Sequence, residues 1–146
     1  MSNSVTMLES TTYTGDGITE VVLRGDKVKG DGYYSRSDGL HTVQFVLTNF
    51  VGTIEIEGTL DADPEDPFYT NCNDSTDWSP VMIEEPHCVS TTGLWGSSIV
   101  PFKLEFTSPE TSVSMYNFTG NYTWLRVYIT KWTAGTVNSI KMNHWG

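Results

Sequence analysis

The sequence predicts an all-β fold, an antiparallel β-sandwich of jelly-roll or galactose-binding-like type, with about eight or nine strands and one long loop. Three observations point there. Aromatic residues make up 12% of the chain, Thr, Val and Ile recur, and Leu and Ala are scarce for a helical protein. Apolar residues alternate with polar ones in window after window, whereas no long stretch repeats them at the 3.6-residue period of a helix. Gly, Asn and Asp punctuate these windows at intervals that suit hairpins. At 146 residues the chain reads as one domain, long enough to bury about 70% of its unfolded surface without a metal or disulfide staple. Residues 1–17 form an N-terminal arm or edge segment, and residues 18–146 a single sandwich.

Residues 2–16 are rich in Ser and Thr, lack periodicity and predict an arm of weak intrinsic conformation that orders against a neighbour. Residues 18–24 are the first convincing strand, followed by a Gly25-Asp26 turn and by Gly30-Asp31-Gly32 ahead of Tyr33 and Tyr34. Residues 41–50 place Val43, Phe45 and Leu47 on one face, and residues 53–60 place Ile54 and Ile56 opposite Glu55 and Glu57. The link Asn49-Phe50-Val51-Gly52 is short enough to make these two a hairpin. Residues 61–86 carry Pro64, Pro67, Pro80 and Pro86 and predict a long loop with one embedded strand near 78–84. Strands follow at 98–107 and 112–118. The last is a second hairpin, turning at Thr133-Ala134-Gly135-Thr136. In it Leu125, Val127 and Ile129 supply a core face, while Trp124, Arg126, Tyr128 and Trp132 supply an aromatic stripe with a guanidinium, the candidate partner- or glycan-contact residues.

Composition excludes several functions. The formal charge is −10, with only eight Lys and Arg against 18 Asp and Glu, which disfavours a nucleic-acid partner or an anionic membrane. No stretch approaches the roughly 20 apolar residues of a spanning helix, and the N-terminus lacks the basic-then-apolar pattern of a signal peptide. The charge itself reads as a device for solubility, with docking to a basic partner as the alternative.

The motifs that carry chemistry elsewhere are weak here. Cys72 and Cys88 are the two cysteines; with His87 beside one they fall short of a four-ligand zinc site. They read as free thiols, the alternative being a disulfide worth about 3 kcal/mol. Asp61, Asp63, Glu65 and Asp66 form an acidic group without the glycine turn and distal glutamate of a calcium loop. Arg24-Gly25-Asp26 spells an integrin-binding triplet but reads as a strand end and turn, and the sequons at Asn73, Asn117 and Asn121 need a secretory route. His41, His87 and His144 are far apart in sequence, and no nucleophile elbow, zinc-protease helix or phosphate-cradling loop occurs. The expectation is a non-enzymatic protein with no cofactor and no metal.

Two segments carry a resemblance. One begins Gly32-Tyr33-Tyr34, runs to Val43-Gln44-Phe45 and continues through Phe50-Val51-Gly52-Thr53-Ile54-Glu55-Ile56-Glu57-Gly58-Thr59-Leu60-Asp61. The other is Gly120-Asn121-Tyr122-Thr123-Trp124-Leu125-Arg126-Val127, followed by Gly135-Thr136-Val137. Together with a Trp-containing strand at 78–81, they resemble the small β-sandwich virion proteins of tailed bacteriophages, especially cyanobacterial myoviruses, over about residues 30–142. The chain departs from that pattern in the 61–86 insert and the Ser/Thr-rich start. The resemblance implies a structural virion protein assembled in host cytoplasm, most simply capsid decoration and otherwise a neck, tail or fibre accessory. Its implied partners are copies of itself and other virion proteins. The alternative is a carbohydrate-binding sandwich directed at host-surface glycans.

Overall fold

A computed structural model describes residues 4–34, 39–62, 78–88 and 95–144, with backbone alone at 84–88, 95–97 and 144. Its strands are β1 (Val5–Leu8), β2 (Thr11–Thr12), β3 (Val21–Arg24), β4 (Val28–Lys29), β5 (Leu40–Thr59), β6 (Ser79–Pro80), β7 (Met82–Cys88), β8 (Trp95–Pro101), β9 (Lys103–Thr119) and β10 (Trp124–His144), with one 3-10 turn at Asp31–Tyr34. The fold is all-β and sandwich-like, and every pairing is antiparallel. Ten strands are present among the described residues.

β5 and β10 are the axis of the molecule. They pair with each other from Trp124 opposite Thr59 to His144 opposite His41. Along the outer side of β10 lie β1, β2, β3 and β4, end to end; along the outer side of β5 lie β9 and β6. β7 and β8 form a separate hairpin. It is tied to this sheet where the Val81 N–H donates to the Ile56 carbonyl and the Phe102 N–H to the Val81 carbonyl.

Neither of the two long hairpins expected from the sequence forms. Leu40–Thr59 is one strand with a kink, and so is Trp124–His144. A two-residue hairpin of the favoured type needs consecutive residues of positive φ, but a single one makes a bulge that bends the strand while pairing continues. Asn49 has φ 50°, Lys131 φ 54° and Gly135 φ 88°, each isolated between extended residues. Pairing slips between Thr130 and Thr136 on β10 and between Leu47 and Gly52 on β5, so all the long strands bend at one level. At that level Gly135 lies so close to the backbone of Asn49 that a Cβ would collide with the Asn49 carbonyl. The Asn49 N–H is capped by Thr111 Oγ1 at 2.9 Å.

The bend explains the core. Val43, Phe45 and Leu47 are odd-numbered, Phe50, Ile54 and Ile56 even, yet all are buried in one cluster with Leu125, Val127 and Ile129. Each kink inserts a residue, the inward parity flips, and the same side of the folded sheet stays inside. Of the two readings of residues 1–17, arm or edge segment, the described residues lie as an edge segment. β1 and β2 pair with the second half of β10, and Met7 is buried in the core. The reason is that Val5, Met7 and Leu8 provide apolar anchors that a Ser/Thr-rich composition hides. The cysteine pair lies outside the described residues at Cys72, as do Asp63, Glu65, Asp66 and the sequon at Asn73; of Cys88 only the backbone, in β7, is described.

Candidate functional site

The first half of β10 sends Leu125, Val127 and Ile129 inward and Trp124, Arg126 and Tyr128 to the opposite face. Beside them, by register, stand Lys29 and Thr59 at Trp124, Glu57 at Arg126, and Arg24 and Glu55 at Tyr128. The expected contact row is only partly present. Trp132 lies past the Lys131 kink, so its parity is reversed. It is 2% exposed, packs on Phe50 at 5.8 Å and Tyr13 at 6.3 Å, and donates its indole N–H to the Ala134 carbonyl. It belongs to the core and to the bend.

Arg126 is likewise no surface residue. It is 2% exposed, its Nε donates to Glu57 Oε1 at 2.8 Å, and its guanidinium lies 4.3 Å from the ring of Trp78. Burial lowers the Arg126 pKa from its ordinary value, while the hydrogen bond and charge of Glu57 oppose that shift. Next to it Glu55 is raised above the usual carboxylate value, first by burial, against the pull of Lys103 at 3.9 Å. Trp124 and Tyr128 remain half-buried, and the Trp124 indole N–H donates to the Ala62 carbonyl at 2.9 Å.

What gathers on this face is a set of cation–aromatic pairs that the sequence pattern does not announce. Arg24 stands 4.5 Å over Tyr128, Lys27 4.8 Å over Trp124, and Lys29 4.4 Å over Tyr33. Tyr33 packs edge-on against both Trp124 and Tyr34 at 5.2 Å. Tyr33 and Tyr34 are held there by the 3-10 turn, which two glycines dock on the 122–123 backbone: Gly30 N–H donates to the Thr123 carbonyl and Gly32 N–H to the Tyr122 carbonyl. A Cβ on either glycine would strike that backbone. A buried knot locks the other end of the turn. Gly39 N–H donates to Asp31 Oδ2 at 3.0 Å, Asp31 N–H to His41 Nε2 at 3.3 Å, and His41 Nδ1 donates to the Gly39 carbonyl at 2.9 Å. His41 is therefore the Nδ1–H tautomer, stacked on Phe118 at 4.9 Å.

These groups can hold shape and stack on flat or anionic surfaces. A cleft of about 450 Å³ beside Trp124 is lined by Gly58, Thr59, Leu60, Ser79, Gly120, Asn121 and Tyr122, which offers hydroxyls, an amide and a phenol. Among the described residues no cluster of three His, Cys, Asp or Glu could hold a metal ion. The Arg24-Gly25-Asp26 triplet is a strand end, with the Gly25 N–H bonded to the Val127 carbonyl at 2.8 Å.

A pair of exposed apolar side chains, two residues apart, lies elsewhere, on β9. Val113 is 64% and Met115 66% exposed, on a strand that among the described elements pairs only with β5. The signal was present in the sequence as a run without charge from Thr111 to Leu125. Comparison with protein-family models, with curated proteins and with solved structures finds no match.

Proposed function

We propose that this protein is a non-enzymatic structural component of a phage virion, in the first place a capsid-decoration protein and otherwise a neck, tail or fibre accessory. The observation that carries the proposal is the β9 rim. In a chain of charge −10, β9 is paired on one side only among the described residues, is uncharged over its second half and carries exposed Val113 and Met115. Free-standing domains protect such edges with charge, Pro or a covering element, and assembling domains pair them. Cryo-electron microscopy of the purified particle, with mass spectrometry of its proteins, tests this. The expected result is density for the β5–β10 sheet in stoichiometric copies; absence of the chain from purified particles overturns it.

The carbohydrate-binding reading keeps one favourable observation, the Tyr33–Tyr34–Trp124 cluster flanked by Lys27 and Lys29. Rings half-covered by cations and packed edge-on make a poor flat platform for a sugar, which is why the structural reading leads. Glycan-array binding lost on Trp124→Ala, with an unchanged melt, would reverse that order. Trp132→Ala cannot serve as the variant, because it empties the core.

A further inference from the structure

We infer that the second half of β9 pairs with the same strand of a second copy, around a two-fold axis at Met115, to make one continuous sheet across two molecules. The inference deepens the assembly reading above and rests on it for its biological setting, but its geometry stands on three observations.

The first is which backbone groups are turned outward. Gly120 N–H donates to the Gly39 carbonyl at 2.9 Å, and the register runs from Leu40 opposite Thr119 to Leu47 opposite Ser112. In an antiparallel ladder, hydrogen-bonded and non-hydrogen-bonded pairs alternate. Phe118, Tyr116, Ser114 and Ser112 therefore turn their peptide groups toward β5. Val113, Met115 and Asn117 turn theirs away from it, as a pairing surface.

The second is protection. The first half of β9 carries Lys103, Glu105, Pro109 and Glu110, the residue types that discourage a new strand from adding to an edge. From 111 to 119 there is none. Met82, exposed at the base of the β7–β8 hairpin, extends the apolar surface beside Asn117 and Thr119.

The third selects the occupant. An antiparallel edge is its own complement, so a two-fold axis closes it without open-ended growth. With the axis at Met115, Met115 meets Met115 of the second copy, Val113 meets Asn117, and Thr111 meets Thr119. The uncharged window 111–119 is centred on that residue. Two chains of charge −10 repel over most of their surfaces, but here Glu110 falls beside Gly120 of the second copy and no carboxylate faces another. A strand pair with so few anchors buries less than the roughly 1,200 Å² of a stable complex. The dimer is accordingly weak in solution and persistent where copies are held at high local concentration.

Sedimentation velocity of the full chain from low to high micromolar concentration tests this, with Met115→Lys and Lys131→Glu as variants. Wild type is expected to show a reversible monomer–dimer equilibrium. Met115→Lys, which sets two like charges face to face, should weaken it at least tenfold with an unchanged thermal melt, and Lys131→Glu, off the rim, should leave it within about twofold. A wild-type chain that stays monomeric throughout, or a dimer indifferent to Met115→Lys, overturns the inference. Particle incorporation separates the two proposals: Met115→Lys present at full occupancy in the virion sinks the self-pairing and leaves the virion role standing.

Discussion

Arg126 and Glu57 show how one buried pair decides what a surface can do. Their side chains are 3% and 8% exposed, so the guanidinium serves the fold and is not offered to a ligand. Removing one partner leaves a buried charge uncompensated, which costs about 3–5 kcal/mol, whereas replacing both by apolar residues is often close to neutral. Arg126→Met alone and Glu57→Leu alone are therefore expected to lower urea stability by several kcal/mol, and the double variant to recover most of the loss. Simple addition of the two losses would mean that the pair is not coupled. Glu55, on the same face, supplies a pH test. Burial raises its folded-state value above that of the unfolded chain, so the folded protein binds this proton more tightly. Its contribution is fully present below the ordinary glutamate value, about 4.3, and is lost as pH rises through the higher value in the fold. Glu55→Gln removes the titrating group: the variant should match wild type at a pH below the ordinary glutamate value and be the more stable of the two at pH 7. A variant less stable at pH 7 would show that Lys103 outweighs burial.

At the scale of elements, the bend across β5, β9 and β10 sets both the core and the contact face. Gly135, with φ 88° and its Cα against the Asn49 backbone, admits no side chain, so Gly135→Val combines left-handed strain with a backbone collision. It should cost at least about 2 kcal/mol, read as a shifted denaturation midpoint. A midpoint within error of wild type would mean that the strands can bend elsewhere. The same bend marks where the sequence stops being legible. Alternation within each half-strand identified Val43, Phe45, Leu47, Ile54, Ile56, Leu125, Val127 and Ile129, and all eight are in the core. What alternation lacks is the parity change. Asn49-Phe50-Val51-Gly52 and Thr133-Ala134-Gly135-Thr136 satisfy the local demands of a hairpin and of a kink equally, because both want a positive φ. The choice is made by pairing between β5 and β10, about 90 positions apart, as in Leu47 opposite Val137. By alternation alone Trp132 falls on the outer face for that reason. For β9 the uncharged run from Thr111 to Leu125 is legible, but its place at an edge among the described strands is not, since that depends on its neighbours and not on its own residues.

For the molecule as a whole, the N-terminal segment closes the sheet. β1 and β2 cover the outer edge of β10 at residues 136–142, Met7 is 2% exposed, and Val5, Leu8 and Tyr13 pack against the core. Burying one such side chain contributes about 1.5–3 kcal/mol, so removal of residues 1–12, which takes Val5, Met7 and Leu8 together, should cost about 3–5 kcal/mol. That is a large share of the 5–15 kcal/mol typical of a domain. At about 2–4 °C per kcal/mol, the melting temperature should fall by roughly 6–20 °C, and the stripped edge of β10 should make the truncated chain prone to aggregate. A melt unchanged by the truncation would detach the segment from the domain and restore it as an arm for neighbours. A peptide of residues 1–12 added in trans sharpens the test: if the loss is a missing edge strand, the peptide binds in the vacated register and raises the melting temperature in proportion to the logarithm of its concentration. The same peptide with Met7→Asp should not, because an unpaired carboxylate in the core cancels what the backbone ladder gains.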